Sequence, residues 1–252
     1  MIPMTKTRDF SGDTEPSALP QTPALPTEVT YLEGGQRYVV CAFYTPNYLE
    51  KVLNLKASLD ALGLNYHLRC VPRKGSWEAN TRLKPVFVAE SLARFPEHDV
   101  LYLDADAVVK KHPVFFDTVE TDVAMLFTPV VRDHKHLLSI AAGTLYIRNT
   151  PGGRRFAENW RDQEKRAHAL SLDEDLIYMA FPSFEGITFT ALPRTYSKIF
   201  DSDGPDPVIE HFQASRGQFK LSRLLRKGRR AIMAAAALTG LAVLAVIWKY
   251  LL

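Results

Sequence analysis

Cysteine is nearly absent: Cys41 and Cys70 are the only two among 252 residues. That count excludes a disulfide scaffold and a cysteine-built zinc centre. No internal repeat is visible, which excludes a solenoid or propeller. The sixteen prolines and thirteen glycines follow no period, so a collagen-like or wholly disordered chain is excluded too. Acidic residues are missing from the C-terminal part. From Lys220 onward there are seven Lys/Arg and no Asp or Glu, leaving 24 basic against 28 acidic groups before it, a balance of −4. The overall charge of +3 therefore belongs to the tail. The body lacks the basic surface on which nucleic-acid binding depends, and no nucleic-acid partner is expected. What remains is a globular composition, 46% hydrophobic and 23% charged, long enough for one sizeable core.

The two ends differ from the middle. The first thirty residues hold five prolines among Ser, Thr, Asp and Glu, with no apolar period and no apolar core of an export signal. They are expected to form a disordered or extended leader. At the other end, Ala231 to Ile247 is an uncharged apolar run followed by Trp248, Lys249 and Tyr250. As a helix, residues 231–252 reach ~30 Å, enough for one transmembrane span. Trp248 and Tyr250 suit the lipid interface. The linker 220–230 places six positive charges directly before the run, a bias that predicts a single-pass C-terminal anchor with the body on the cytoplasmic side. A reducing compartment leaves both cysteines as buried thiols.

Residues 31–219 alternate between strand and helix patterns. Strands are expected at 37–44, 65–71 and 99–103, with helices at 48–62 and 84–95 between them. Later strands are expected at 123–127, 144–147 and 188–191, and helices at 154–168 and 173–180. Strand and helix in alternation predict an α/β sandwich with a mostly parallel, Rossmann-like sheet. Residues 128–142 and 192–207 are expected to be the loops that shape specificity.

Ligands of open α/β sheets bind beyond the carboxyl ends of the strands. The third expected strand ends in Asp104-Ala105-Asp106. Two carboxylates so close call for a cation, and a hard divalent ion that also takes phosphate oxygens is the natural partner. His211, in VIEHFQASR, sits among apolar and aromatic neighbours and is a candidate third ligand. His134 and His136 lie in a charged loop without carboxylate or Cys partners, so they are solvated or line an acceptor cleft. Alternation places Phe43 and Tyr44 on opposite faces, which makes Phe43 core and leaves Tyr44 and Thr45 as candidates for a nucleotide base. Asp173, Glu174 and Asp175 open a helix in greater number than capping requires.

The segment DVLYLDADAVV resembles the metal- and nucleotide-binding motif of the GT-A-fold nucleotide-diphospho-sugar transferases. WEANTRLKP, AAGTLYIRNT and SLDEDLIYMA resemble further segments of that family in the same order, over roughly residues 37–217. The resemblance implies a glycosyltransferase that moves a sugar from a nucleotide donor, UDP-linked by preference, to a glycan or lipid-linked acceptor with Mn2+ or Mg2+. It implies metal contacts from Asp104, Asp106 and His211, with Asp106 and His211 direct and Asp104 at the ribose or through water. Lys84 borders the nucleotide, Gly143 lies under the donor sugar, Asp173 or Glu174 faces that sugar, and Arg216 assists the phosphates.

Two rival readings stand beside this one. DADAVV also matches the nucleophile motif of haloacid-dehalogenase-type phosphatases, with Asp104 attacking phosphate and Asp106 as acid/base. That family carries the motif on its first strand, whereas here two strands and two helices precede it. The other rival is a non-catalytic, membrane-tethered module that binds sugar nucleotides.

Overall fold

A computed structural model describes residues 25–214 apart from position 133. Most of the leader, Arg216, the basic linker and the apolar C-terminal run lie outside the described residues. Among the described residues no helix is long and apolar enough to cross a membrane.

The chain opens with β1 (Glu28–Tyr31) and β2 (Tyr38–Tyr44), followed by α1 (Leu49–Ala61) and β3 (Tyr66–Cys70). Helices α2 (Trp77–Thr81) and α3 (Lys84–Arg94) lead into β4 (Asp99–Leu103) and β5 (Ala107–Val109). A long hairpin, β6 (Val123–Arg132) and β7 (Lys135–Ile147), precedes α4 (Pro151–Asp162) and α5 (Asp173–Ala180). Three short strands close the described part of the chain: β8 (Phe189–Ala191), β9 (Lys198–Ile199) and β10 (Ile209–His211).

Seven strands form one sheet in the order β1-β3-β2-β4-β7-β6-β8, and β5-β10-β9 form a small second sheet. The alternation that predicts buried strands is visible in β2. Val40 and Ala42 point into the core layer under α1, while Val39 and Cys41 point into the layer under α3, α4 and α5. A strand covered on both faces is apolar at every position, which is why its pattern is a continuous run. The expected elements at 48–62, 84–95 and 173–180 correspond to α1, α3 and α5 within one or two residues.

The sheet corrects three expectations. It is mixed, not mostly parallel: β2 lies parallel to β3 and β4, but β7 runs antiparallel to both β4 and β6. The reason is the hairpin, which returns the chain without a helical crossover. Residues 128–142 are that hairpin and not a loop. Its strand character is masked in the sequence by Pro129, which lies beyond the Val123–Met125 stretch that β6 shares with β8; a strand tolerates proline where no ladder bond is required of it. Finally, Glu28–Tyr31 pairs antiparallel with β3, so strand structure begins within the segment expected as leader, and the strand carrying the aspartates is the fourth.

Candidate active site

β4 ends at Leu103, and the chain turns through Asp104-Ala105-Asp106 into β5. Asp104 N donates to the Gly143 carbonyl of the neighbouring β7 (2.9 Å), which fixes the turn against the sheet. β10 pairs antiparallel with β5 and sets His211 opposite Ala107. One ligand atom each from Asp104, Asp106 and His211 therefore lie within 4.8 Å of one another. The distant imidazole arrives beside the carboxylates because β10 pairs with β5, the strand that follows the aspartate turn.

Each of the three side chains is held from behind. Asp104 Oδ1 accepts hydrogen bonds from Tyr102 Oη and Lys84 Nζ, both at 3.0 Å, leaving Oδ2 for a ligand. Asp106 Oδ2 accepts from the backbone N–H of Ala214 at 2.7 Å, and the Asp106 carbonyl accepts from Phe212 N at 3.2 Å. His211 Nε2 is hydrogen-bonded to Thr144 Oγ1 at 2.8 Å, leaving Nδ1 as the open nitrogen. Burial lowers the His211 pKa against the upward pull of Asp104 and Asp106, so a neutral, coordinating imidazole is favoured. Gly143 faces the same point: a Cβ there would lie 3.1 Å from His211 Cε1 and 3.2 Å from Asp104 Oδ2. Two carboxylates, one neutral imidazole and a side-chain-free floor fit a hard divalent ion.

Lys84 is the buried centre of the site. Its ammonium meets Asp173 at 2.6 Å, Asp104 at 3.0 Å and the Ala142 carbonyl at 3.0 Å, over the face of Tyr102. Desolvation would lower the Lys84 pKa, yet the two carboxylates outweigh it and raise it. The ammonium thus joins the Asp104 corner to the acidic helix instead of standing free for a phosphate. Pro85 follows at the second position of α3, where a missing N–H costs nothing.

The three acids of α5 divide the work. Asp175 Oδ2 accepts from the Leu172 N–H at 2.8 Å and caps the helix. Asp173 pairs with Lys84, and its carbonyl receives the indole N–H of the buried Trp160 at 2.9 Å. Glu174 remains, with the Ala142 N–H at 3.3 Å. Burial, reinforced by the Asp173 charge, raises its carboxyl pKa to about 7.

Asp104, Asp106, His211, Lys84, Tyr102, Asp173 and Glu174 line one cleft of about 720 Å³, together with Tyr44, Thr45 and Gly143. Phe43 lines it as well as packing against Phe87, so the expectation of a purely core Phe43 is corrected. Tyr44 is nearly buried and Thr45 Oγ1 donates to Asn47 Oδ1 at 2.7 Å. His134 is an exposed hairpin-turn residue with φ 61° and is not among the lining residues. The Asn149-Thr150 pair serves the scaffold: Asn149 binds the carbonyls of Leu92, Phe95 and His98, and Thr150 caps α4. Sequence reasoning missed Tyr48, Tyr102 and Thr144. Tyr48 lines the cleft, and burial with the Asp106 and Asp104 charges pushes its hydroxyl up to about 12. A polar Thr144 within the otherwise non-polar stretch Ile140–Ile147 is the signal that could have been read.

No sequence-family model and no curated protein sequence matches the chain. Solved structures do. A glycosyltransferase involved in glycosylating the major capsid of PBCV-1 matches 75% of this chain and 100% of its own, at 13% identity and a TM-score of 0.54. The glycosyltransferase GlyE of Streptococcus pneumoniae matches 74% of this chain and 60% of its own at 16% identity, with a TM-score of 0.46. Mouse xyloside xylosyltransferase 1 matches 71% and 98% at 10% identity, with a TM-score of 0.45. The first of these carries the fold alone: this chain shares the α/β architecture of that glycosyltransferase, with a large mixed central sheet.

Proposed function

We propose that the chain is a metal-dependent glycosyltransferase that takes a sugar from a nucleotide-sugar donor, a UDP-sugar by preference, to an acceptor hydroxyl. The observation that carries this reading is the convergence of Asp104, Asp106 and His211 with the Lys84–Asp173 pair and Glu174 in one cleft of a glycosyltransferase fold. Asp104, Asp106 and His211 would hold Mn2+ or Mg2+, which when bound supplies positive charge to the departing nucleoside diphosphate. The chain's own groups do the positioning. Tyr44 and Thr45 border the base, and Gly143 lets the donor approach the sheet. Lys84 holds Asp104 and Asp173 in fixed orientation, and Glu174 faces the transferred sugar. With its pKa near 7, Glu174 is matched to proton exchange with a hydroxyl near neutral pH. Arg216 is proposed as a phosphate contact from the segment that follows.

The reading includes tethering through residues 231–252, with the body on the cytoplasmic side and a glycan or lipid-linked acceptor at the membrane. The Pro-rich leader before β1, the catalytic body from β1 to residue 219 and the basic linker 220–230 complete this plan.

The test is a donor-hydrolysis screen across common sugar nucleotides with and without Mn2+. Turnover that requires both metal and one nucleotide sugar is expected, and Asp106→Ala should reduce it at least 10³-fold with the fold retained. Release of phosphate from a simple phosphate ester, with no sugar nucleotide consumed, would point to the phosphatase instead.

A further inference from the structure

The last residue pair between β4 and β7 is Leu103 with Thr144, yet β7 begins at Lys135. The β6–β7 hairpin therefore runs on past the end of β4, on the side where Asp104 and the cleft lie. At ~3.3 Å per residue the excess amounts to roughly 30 Å of strand. Its root lines the cleft through Leu126, Thr128 and Ala141, and Tyr178 of α5 braces it by bonding Ile140 N and the Leu138 carbonyl. At and beyond that brace, exposed apolar side chains flank the charged tip on both faces of the hairpin: Val131, 68% exposed, and Leu138, 58%, on one face, and Leu137, 44%, on the other. Phe181, 44% exposed, stacks on Tyr178 beside them. The tip sequence RDHKH carries more positive than negative charge. The chain also leaves the described body at this end, since Ala214 is bonded to Asp106. The segment that follows holds six basic residues at 220–230 and then the uncharged run 231–247.

We infer that the β6–β7 hairpin is a membrane-contacting wedge: Val131, Leu137 and Leu138 enter the interface of an anionic bilayer and set the cleft against the lipid surface. The occupant is a lipid surface because the hairpin extends on the side of the sheet where the described chain ends at Ala214, and the sequences of both the hairpin and the segment after Ala214 combine apolar residues with net positive charge. That combination favours anionic bilayers. This rests on the membrane half of the function proposed above and assigns its acceptor side to the hairpin end of the cleft.

The test uses the full-length chain with Cys70→Ser, so that a single reactive thiol can be added. Leu138→Cys carries a polarity-sensitive dye, and Glu97→Cys, at the loop entering β4, is the control. Both are mixed with vesicles of phosphatidylcholine and phosphatidylglycerol, with and without brominated acyl chains. A blue shift and at least twofold quenching at position 138, with position 97 unchanged, is expected. An aqueous spectrum at 138 on vesicle-bound protein, or no binding to the vesicles, overturns the inference. So does a blue shift already present without vesicles, because another copy of the chain would then cover the hairpin. The readout is independent of turnover. Insertion by a chain that hydrolyses no donor would refute the enzymatic reading alone, and turnover with an aqueous residue 138 would refute the wedge alone.

Discussion

Gly143 sits under the junction of Asp104 and His211, and its lack of a side chain is what lets the two lie close against the sheet. A methyl group there would press on ring atoms at 3.1 and 3.3 Å and on a carboxylate oxygen at 3.2 Å, so the buried imidazole bonded to Thr144 and the Asp104 carboxylate must shift away from the point where their open atoms meet. Gly143→Ala is therefore expected to fold but to lose most of its Mn2+ affinity, measured by isothermal titration; undiminished affinity would show that the floor is not part of the site. Glu174 gives a second residue-level expectation. Its carboxyl ionises near pH 7 in the fold and near 4.5 in the unfolded chain. Between those values the folded chain holds a proton that the unfolded chain has released, so stability falls as pH rises through the window. Glu174→Gln removes this slope, and urea titrations at pH 5 and 7.5 should show the variant gaining on the parent at the higher pH.

At the scale of elements, β1 and β3 are joined around a histidine that must stay neutral. His67 is buried, bonded through Nδ1 to Thr30 at 3.0 Å and stacked on Phe87 of α3. Burial, with help from Arg94 and Arg69 and against Glu28, lowers its pKa to about 4. Below about pH 6.5 the unfolded chain takes up a proton that the folded chain refuses, so stability is lost as pH falls toward 4, by on the order of 2–3 kcal/mol. The sign is opposite to that of Glu174, so each must be read as a difference from its own variant. His67→Gln keeps a partner for Thr30 and should flatten the acid limb of a Tm-against-pH curve; an unchanged limb would assign the loss to other groups.

The elements also show where the sequence was readable. β2, β4 and α1 were legible because apolar runs and helical spacing are local properties, and Asp104 and Asp106 because a strand end is a local event. β1 was not: EVTY has only four residues beside a proline-rich stretch, and its order comes from β3 and not from its own pattern. The hairpin was hidden by Pro129 and by the charged tip. The separate duties of Asp173, Glu174 and Asp175 were also beyond sequence, since only the position of Lys84 decides which acid is paired.

For the whole molecule, the site joins segments far apart in the chain: the turn after β4, the start of α3, the middle of β7, the first turn of α5 and β10. A ligand that bridges them stabilises the whole fold. At a concentration 100 times its Kd, Mn2+ should add ~2.7 kcal/mol and raise Tm by roughly 5–10 °C. Asp106→Ala should abolish the rise, as seen by scanning calorimetry. A rise that survives in the variant would place the cation elsewhere.

The clasp of Phe212 and Ala214 on Asp106 bears on where the polypeptide can be shortened. A version cut after Val208 forfeits the imidazole, the middle strand of the small sheet and both backbone donors that steady the second aspartate. A version cut after Ala214 keeps all of them. The minimal unit that keeps the candidate site intact thus ends three residues beyond β10, and a fragment trimmed more tightly would be inert for reasons unrelated to its missing tail.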